Sequence, residues 1–160
     1  TDAAWLEGYA LLEPLGLHYE LQTPWWHLAE AARVAGRFPG TRLVINHAGV
    51  PSDRSDEGLR AWRAALAGMA AHANVAIKIS GIGEAGGQWR LEANRRVVRE
   101  VIELFGVGRC MFGSNYPVDS LCAPFQTIFD GFAACVADLG AQEQSQLFVD
   151  NARRIYRIEA

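Results

Sequence analysis

Two hydrophobic rhythms alternate along the chain, one helical and one strand-like. Residues 3–15 carry Trp5, Leu6, Tyr9, Leu12 and Leu15 at helical spacing, with Asp2 as a candidate N-cap and Gly16 as a stop. Residues 17–22 read as a strand, and Pro24 turns the chain after it. An Ala-rich helix is predicted over 28–38, ended by Pro39 and Gly40. Residues 42–46 form a second strand whose unbroken apolar centre, Leu43, Val44 and Ile45, suits burial on both faces. A polar surface excursion over 52–58 leads to a helix over 59–71, with Leu59, Trp62, Leu66 and Met69 on or near one face. A third strand covers 75–80 and a glycine-rich loop covers 81–87. The helix over 91–105 sets Val97, Val98, Val101, Ile102 and Phe105 against Arg95, Arg96, Arg99 and Glu103. A fourth strand over 110–114 is followed by helices over 123–139 and 142–157.

Strands recurring every 25 to 35 residues, with helices between, imply right-handed crossovers and a parallel sheet. No linker or low-complexity tract divides the chain. Four such units suit a small open doubly wound sheet or half of an eight-stranded β/α barrel. Polar residues follow several successive strands: Gln22, His47, Ser80 and Asn115. A barrel gathers all its strand ends at one rim, so the pattern leans to the half-barrel.

Composition narrows the function. A net charge of −3 gives no reason to expect nucleic acid or an anionic membrane as partner. No apolar run is long enough to span a bilayer, and the first residues carry no signal-peptide pattern. Cys110, Cys122 and Cys135 lack metal-ligand spacing and read as thiols of a reducing compartment, which makes a cytoplasmic location the expectation.

The candidate chemistry sits at strand ends. His47 follows Ile45 and Asn46 and enters a Gly/Pro loop, where a neutral imidazole can ligate a metal, hold a water or bind a substrate carbonyl. A bond to a neighbouring loop would explain it equally well. Asn115 and Asp119 flank Pro117 beyond the fourth strand, and Asp119 reads either as a chemical group or as a turn or N-cap residue. Lys78 lies in a strand between Ile77 and Ile79, poised to stabilise an oxyanion or to pair with Glu20 or Glu84. His27 and Trp26, after Pro24, are candidates for binding substrate at the rim, although a surface histidine beside core tryptophans is the plainer reading. Arg153, Arg154 and Tyr156 are expected to fasten the last helix to the barrel.

Four stretches taken together resemble the amidohydrolase-related branch of the metal-dependent TIM-barrel hydrolases, particularly its lactonase-like members. They are FPGTRLVINHAGVP at 38–51, VAIKISG at 75–81, MFGSNYPVD at 111–119 and LFVDNARRIY at 147–156. The first three are similar to the family's sixth, seventh and eighth strands, and the fourth to its closing signature. The resemblance implies that this chain, which begins with Thr rather than Met, is the C-terminal half of a (β/α)8 barrel. The His-x-His pair of the family's first strand has no match among His18, His27, His47 and His72. An N-terminal half-barrel would therefore be a required partner.

The implied function is a hydrolase opening a lactone or similar cyclic ester by activated-water attack on a small-molecule substrate. His47, Asn115 and Asp119 would be its catalytic residues, and Lys78, His27 and Trp26 its substrate-binding ones. His47 is also the candidate ligand for one divalent metal such as zinc. Asn115 stands where many relatives have aspartate, and an amide is neither a base at neutral pH nor a good metal ligand. Either the reaction uses no metal-bound water here or Asp119 supplies the carboxylate. Alternatives are a non-catalytic α/β domain or inactive fragment, or decarboxylation or amide hydrolysis on the same scaffold. With unpaired strand edges, the 160 residues by themselves are expected to be inactive and to form homo-oligomers, aggregate or stay partly molten.

Overall fold

The structure, a computed structural model, describes residues 2–84 and 87–159. Residues 85 and 86, inside the predicted 81–87 loop, lie outside the described residues. Four strands, β1 (Tyr19–Leu21), β2 (Leu43–Ile45), β3 (Val75–Ile79) and β4 (Cys110–Phe112), form one parallel sheet in the order β1-β2-β3-β4. The pairing register sets Glu20 beside Val44, Val44 beside Ala76, and Lys78 beside Met111.

Because side chains alternate across a strand, this register sorts them into two faces. Leu43, Ile45, Val75, Ile77, Ile79, Cys110 and Phe112 belong to one large core with the helices α2 (Leu28–Arg37), α3 (Asp56–Ala70), α4 (Leu91–Phe105) and α5 (Phe125–Cys135). Val44, Ala76 and Met111 form a separate, smaller cluster with Ile155. All connecting helices thus cover one face, and the strand order never reverses. An open doubly wound sheet needs helices on both faces and a reversal, so the arrangement is the arc of a half-barrel. Among the described residues β1 pairs only with β2, and β4 only with β3.

Local chemistry explains the element ends. Helix α1 (Ala3–Ala10) starts at Asp2, whose carboxylate accepts from the Trp5 amide at 3.1 Å. It stops at Ala10 rather than at the expected residue 15, because the ring of Pro14 would clash with the carbonyl four residues back. Helix α3 begins at Asp56, three residues before the expected start, inside the predicted polar excursion. Ser55 caps it by accepting from Gly58 N at 3.0 Å, and Asp56 and Glu57 supply negative charge to its first turn. Helix α5 is shorter at both ends than the expected 123–139, with Pro124 as its N-cap residue. The last predicted helix is interrupted: α6 (Ala141–Ser145) runs into a π-helical turn at Gln146–Asp150 and then α7 (Asn151–Tyr156).

Helix α7 sits against the inner face. The Asn151 side-chain amide donates to the carbonyls of Val107 and Cys110, each at 2.8 Å, while Ile155 enters the Val44–Ala76–Met111 cluster. Arg154 donates to the Gly108 carbonyl, and Tyr156 Oη donates to Glu20 at 2.6 Å. No helix among the described residues is long and apolar enough to cross a membrane.

Candidate active site

The carboxyl ends of β2, β3 and β4 converge. Beyond β2 the backbone enters the left-handed region at four successive residues: His47 (φ 54°), Ala48 (φ 51°), Gly49 (φ 70°) and Val50 (φ 56°). Only glycine adopts that region freely, so such a run must be held by its surroundings. Trp62 of α3, fully buried, donates its indole N–H to the Ala48 carbonyl at 2.7 Å and fixes the loop from beneath. Beyond β4, Asn115 also has positive φ (54°).

Gly81, just past β3, is the meeting point. A Cβ there would lie 2.6 Å from His47 Nδ1 and 3.1 Å from Asn115 Nδ2, so both side chains occupy the space that any other residue would fill. The two groups that the sequence offered from different strand ends therefore lie against one glycine. His47 Nδ1 is 3.0 Å from Ser80 Oγ. Asn115 Nδ2 donates to Asp119 Oδ1 at 2.8 Å, and the Asp119 amide donates to the Asn115 carbonyl at 3.0 Å. Asp119 is buried, and its second carboxylate oxygen faces Gly83.

The imidazole of His47 is held below its usual protonation range, first by burial and then by the positive charge of Lys78. Asp119, a hydrogen bond to the Ser80 backbone and Glu20 pull the other way with smaller effect. The ring is thus neutral near pH 7. The Ser80 hydroxyl can donate or accept, so the ring can carry its proton on either nitrogen and offer the other as acceptor. Nearby, Asn46 carries a buried side-chain oxygen with no partner among the described residues.

Lys78 points to the inner face. Its ammonium is 3.2 Å from Glu20 Oε2 and 5.3 Å from the Tyr156 ring centre. Of its two sequence readings, the ion pair with Glu20 is the one found; Glu84 is paired instead with Arg90. His18 Nε2 lies 3.6 Å from the same Glu20 carboxylate. Burial and the bond to Glu20 push the Tyr156 hydroxyl well above its ordinary pKa. His27 and Trp26 are not with His47. They belong to a 3₁₀ turn (Trp25–His27), where Trp26 is exposed and His27 lines a groove with Trp5, Tyr9 and Tyr19 beside α2.

A metal tests the same geometry. Among the described residues no group of three or more His, Cys, Asp or Glu side chains is arranged to hold one. His47 Nε2 and one oxygen of Asp119 are the donors this end offers, fewer than a tetrahedral zinc site uses. The chain's own residues therefore do not make a metal centre by themselves. They make a neutral proton acceptor, a fixed amide and a buried carboxylate at one rim.

Two residues in contact with His47 escape the sequence reading. Ser80 was noted only as a strand-end polar residue, and Gly81 only as part of a loop. Their signal was position: each directly follows a buried strand whose neighbours end in His47 and Asn115.

Comparison with known proteins agrees with this architecture. A family model described as amidohydrolase matches residues 1–158. An uncharacterised protein of Sinorhizobium fredii, y4mH, is 38% identical over 154 residues, covering 96% of this chain and 52% of that protein. An L-fucono-1,5-lactonase of Burkholderia ambifaria is 36% identical over 138 residues, covering 83% of this chain and 47% of the enzyme. The crystal structure of a Burkholderia multivorans amidohydrolase with bound zinc superposes with a TM-score of 0.91 at 28% identity, over 99% of this chain and 58% of that one. The chain spans about half the length of the curated relatives it matches.

Proposed function

The chain belongs to the amidohydrolase family, and from that premise we propose that it is the carboxyl-terminal half of a barrel hydrolase that opens a lactone or similar cyclic ester. The observation that carries the reading is the contact of His47 and Asn115 with the same glycine, Gly81, at the strand ends. The likeness to an L-fucono-1,5-lactonase supports a sugar lactone as substrate.

Lactone opening needs a water held in line with the ring carbonyl, a group to take its proton, and donors for the developing oxyanion. In this reading His47 Nε2 accepts the hydrogen bond of the attacking water, with Ser80 fixing the ring through Nδ1. Asn115 gives one of its two N–H groups to Asp119, which leaves its second N–H and its amide oxygen to orient a water or a substrate oxygen. Asp119 holds that amide in one orientation and, as the only carboxylate in this contact, is the candidate final proton acceptor. Burial, with the charge of Lys78 on the inner face adding to it, keeps the imidazole neutral.

The oxyanion donors, and the partner of the Asn46 oxygen, belong to an N-terminal half-barrel that would complete both the sheet edges and the site. Any metal, like the zinc of the Burkholderia multivorans structure, would draw most of its ligands from there. The test is acid release from a panel of sugar lactones, including L-fucono-1,5-lactone, by the intact protein in weak buffer. Saturable opening of at least one lactone is expected. A folded protein that opens none, yet turns over an amide or a carboxylic acid, would overturn the reading.

A further inference from the structure

At the opposite end of the strands lies a second cavity, of about 450 Å³, lined by Glu13, His18, Arg42, Arg154 and Arg157 among others. It is formed by the segments leading into β1, β2 and β3 together with the end of α7.

Its charge is one-sided. Arg42 lies more than 100 residues along the chain from Arg154 and Arg157, and among the described residues none of the three is in an ion pair. Arg154 donates through Nη2 to the Gly108 carbonyl and to Asn151 Oδ1, and Arg157 through Nη1 to the Gly16 carbonyl at 3.0 Å. Those bonds occupy one nitrogen of each fork and leave the others available. Arg42 has no side-chain partner at all among the described residues. Burial and the charges of Arg154 and Arg157 make its protonated form less favourable than usual. Three guanidinium groups held together with no paired carboxylate among the described residues repel one another, and a bound oxyanion would relieve that repulsion. Guanidinium forks match the paired oxygens of phosphate and carboxylate groups.

We propose that this cavity is an anion-binding site, separate from the His47 rim, for a small molecule carrying a phosphate or at least two carboxylates. A cavity of this size accommodates such a ligand with room beyond the anionic group. Glu13, the sole carboxylate on its wall among the described residues, sets one side against the anion.

Calorimetric titration of the intact protein at constant ionic strength tests this, using inorganic phosphate in one series and citrate in another. Saturable binding of at least one is expected. Phosphate binding would identify a phosphorylated ligand, and binding of citrate alone a polycarboxylate. Arg42→Met should weaken binding tenfold or more, and Glu13→Gln should tighten it. Arg42 makes no bond whose loss would unfold the chain; if that variant nevertheless fails to fold, Arg157→Met, an exposed position, carries the same comparison. The absence of saturable binding of both anions, or equal affinity in wild type and the arginine variant, overturns the proposal.

Discussion

The two ends of the sheet solve different problems. At the amino ends the chain turns with glycines where left-handed backbone is needed, Gly16 (φ 66°) and Gly106 (φ 72°). The Asn74 side-chain amide approaches the carbonyls of Ala35, Phe38 and Thr41 at 3.0 to 3.1 Å and ties the α2–β2 turn to β3. One non-glycine joins them there, Arg157 (φ 55°) at the end of α7, whereas at the carboxyl ends the left-handed residues are Gly49 and Gly81 together with four non-glycines, His47, Ala48, Val50 and Asn115. Each such non-glycine residue costs on the order of 1 kcal/mol or more. Strained, side-chain-bearing turns concentrate at the carboxyl ends, four residues against one, and mark where packing serves positioning more than stability.

Substitutions at the two ends should therefore separate rate from stability. The largest effect is expected for Asp119→Ala, which removes the carboxylate and leaves the Asn115 amide without its acceptor. Lactone turnover should fall roughly 100-fold, with a stability loss of about 1–3 kcal/mol. Steady-state kinetics and a denaturant titration on the same preparation check both numbers.

Asn74→Ala should do the reverse. Losing the amide that serves three carbonyls should cost about 2–3 kcal/mol of stability, while turnover per folded molecule stays at the wild-type level. A matching fall in rate would erase the distinction between the ends.

Asn115→Asp sharpens the comparison through pH. It would set two carboxylates at the present 2.8 Å contact, where one holds a proton more tightly than in the unfolded chain. A raised folded pKa means stability is gained as pH falls and lost as pH rises through it. The variant should be about 1–2 kcal/mol less stable than wild type near pH 7 and should approach it in mild acid, as urea melts at several pH values would reveal.

Lys78→Met is expected to have the smallest effect. The acid limb of wild-type activity should lie below the ordinary imidazole value of 6.5, since burial and Lys78 depress His47. Removing the lysine should move that limb upward, which a pH–rate profile reads directly. The same sign governs stability: the contribution of neutral His47 is fully present above 6.5 and is lost as pH falls below it through the folded pKa.

Much of this fold was legible because parallel strands buried on both faces read as continuous apolar runs, as with Leu43, Val44 and Ile45. The convergence of His47 and Asn115 followed from parallel order alone, since both lie just past such runs. Local signals that went unused, Pro14 and Ser55, explain the misplaced helix ends of α1 and α3. The π-helical turn at Gln146–Asp150 has no breaker residue to announce it. Trp25 packs against the core while Trp26 stays exposed and His27 lines the groove beside α2, an arrangement that the sequence pattern of this turn did not specify. The Arg42, Arg154 and Arg157 cluster depends on α7 packing against the inner face beneath the strands, a tertiary fact with no local pattern.

The central claim is that His47 serves chemistry and not packing, and the His47→Asn variant of the intact protein tests it most directly. Asparagine tolerates the left-handed backbone but cannot accept a proton from water. The measurement is kcat/KM for lactone opening by folded protein. The expected result is a fall of about 100-fold or more, with a melting temperature within a few degrees of wild type. A wild-type rate in this variant would contradict the claim and return His47 to a structural role.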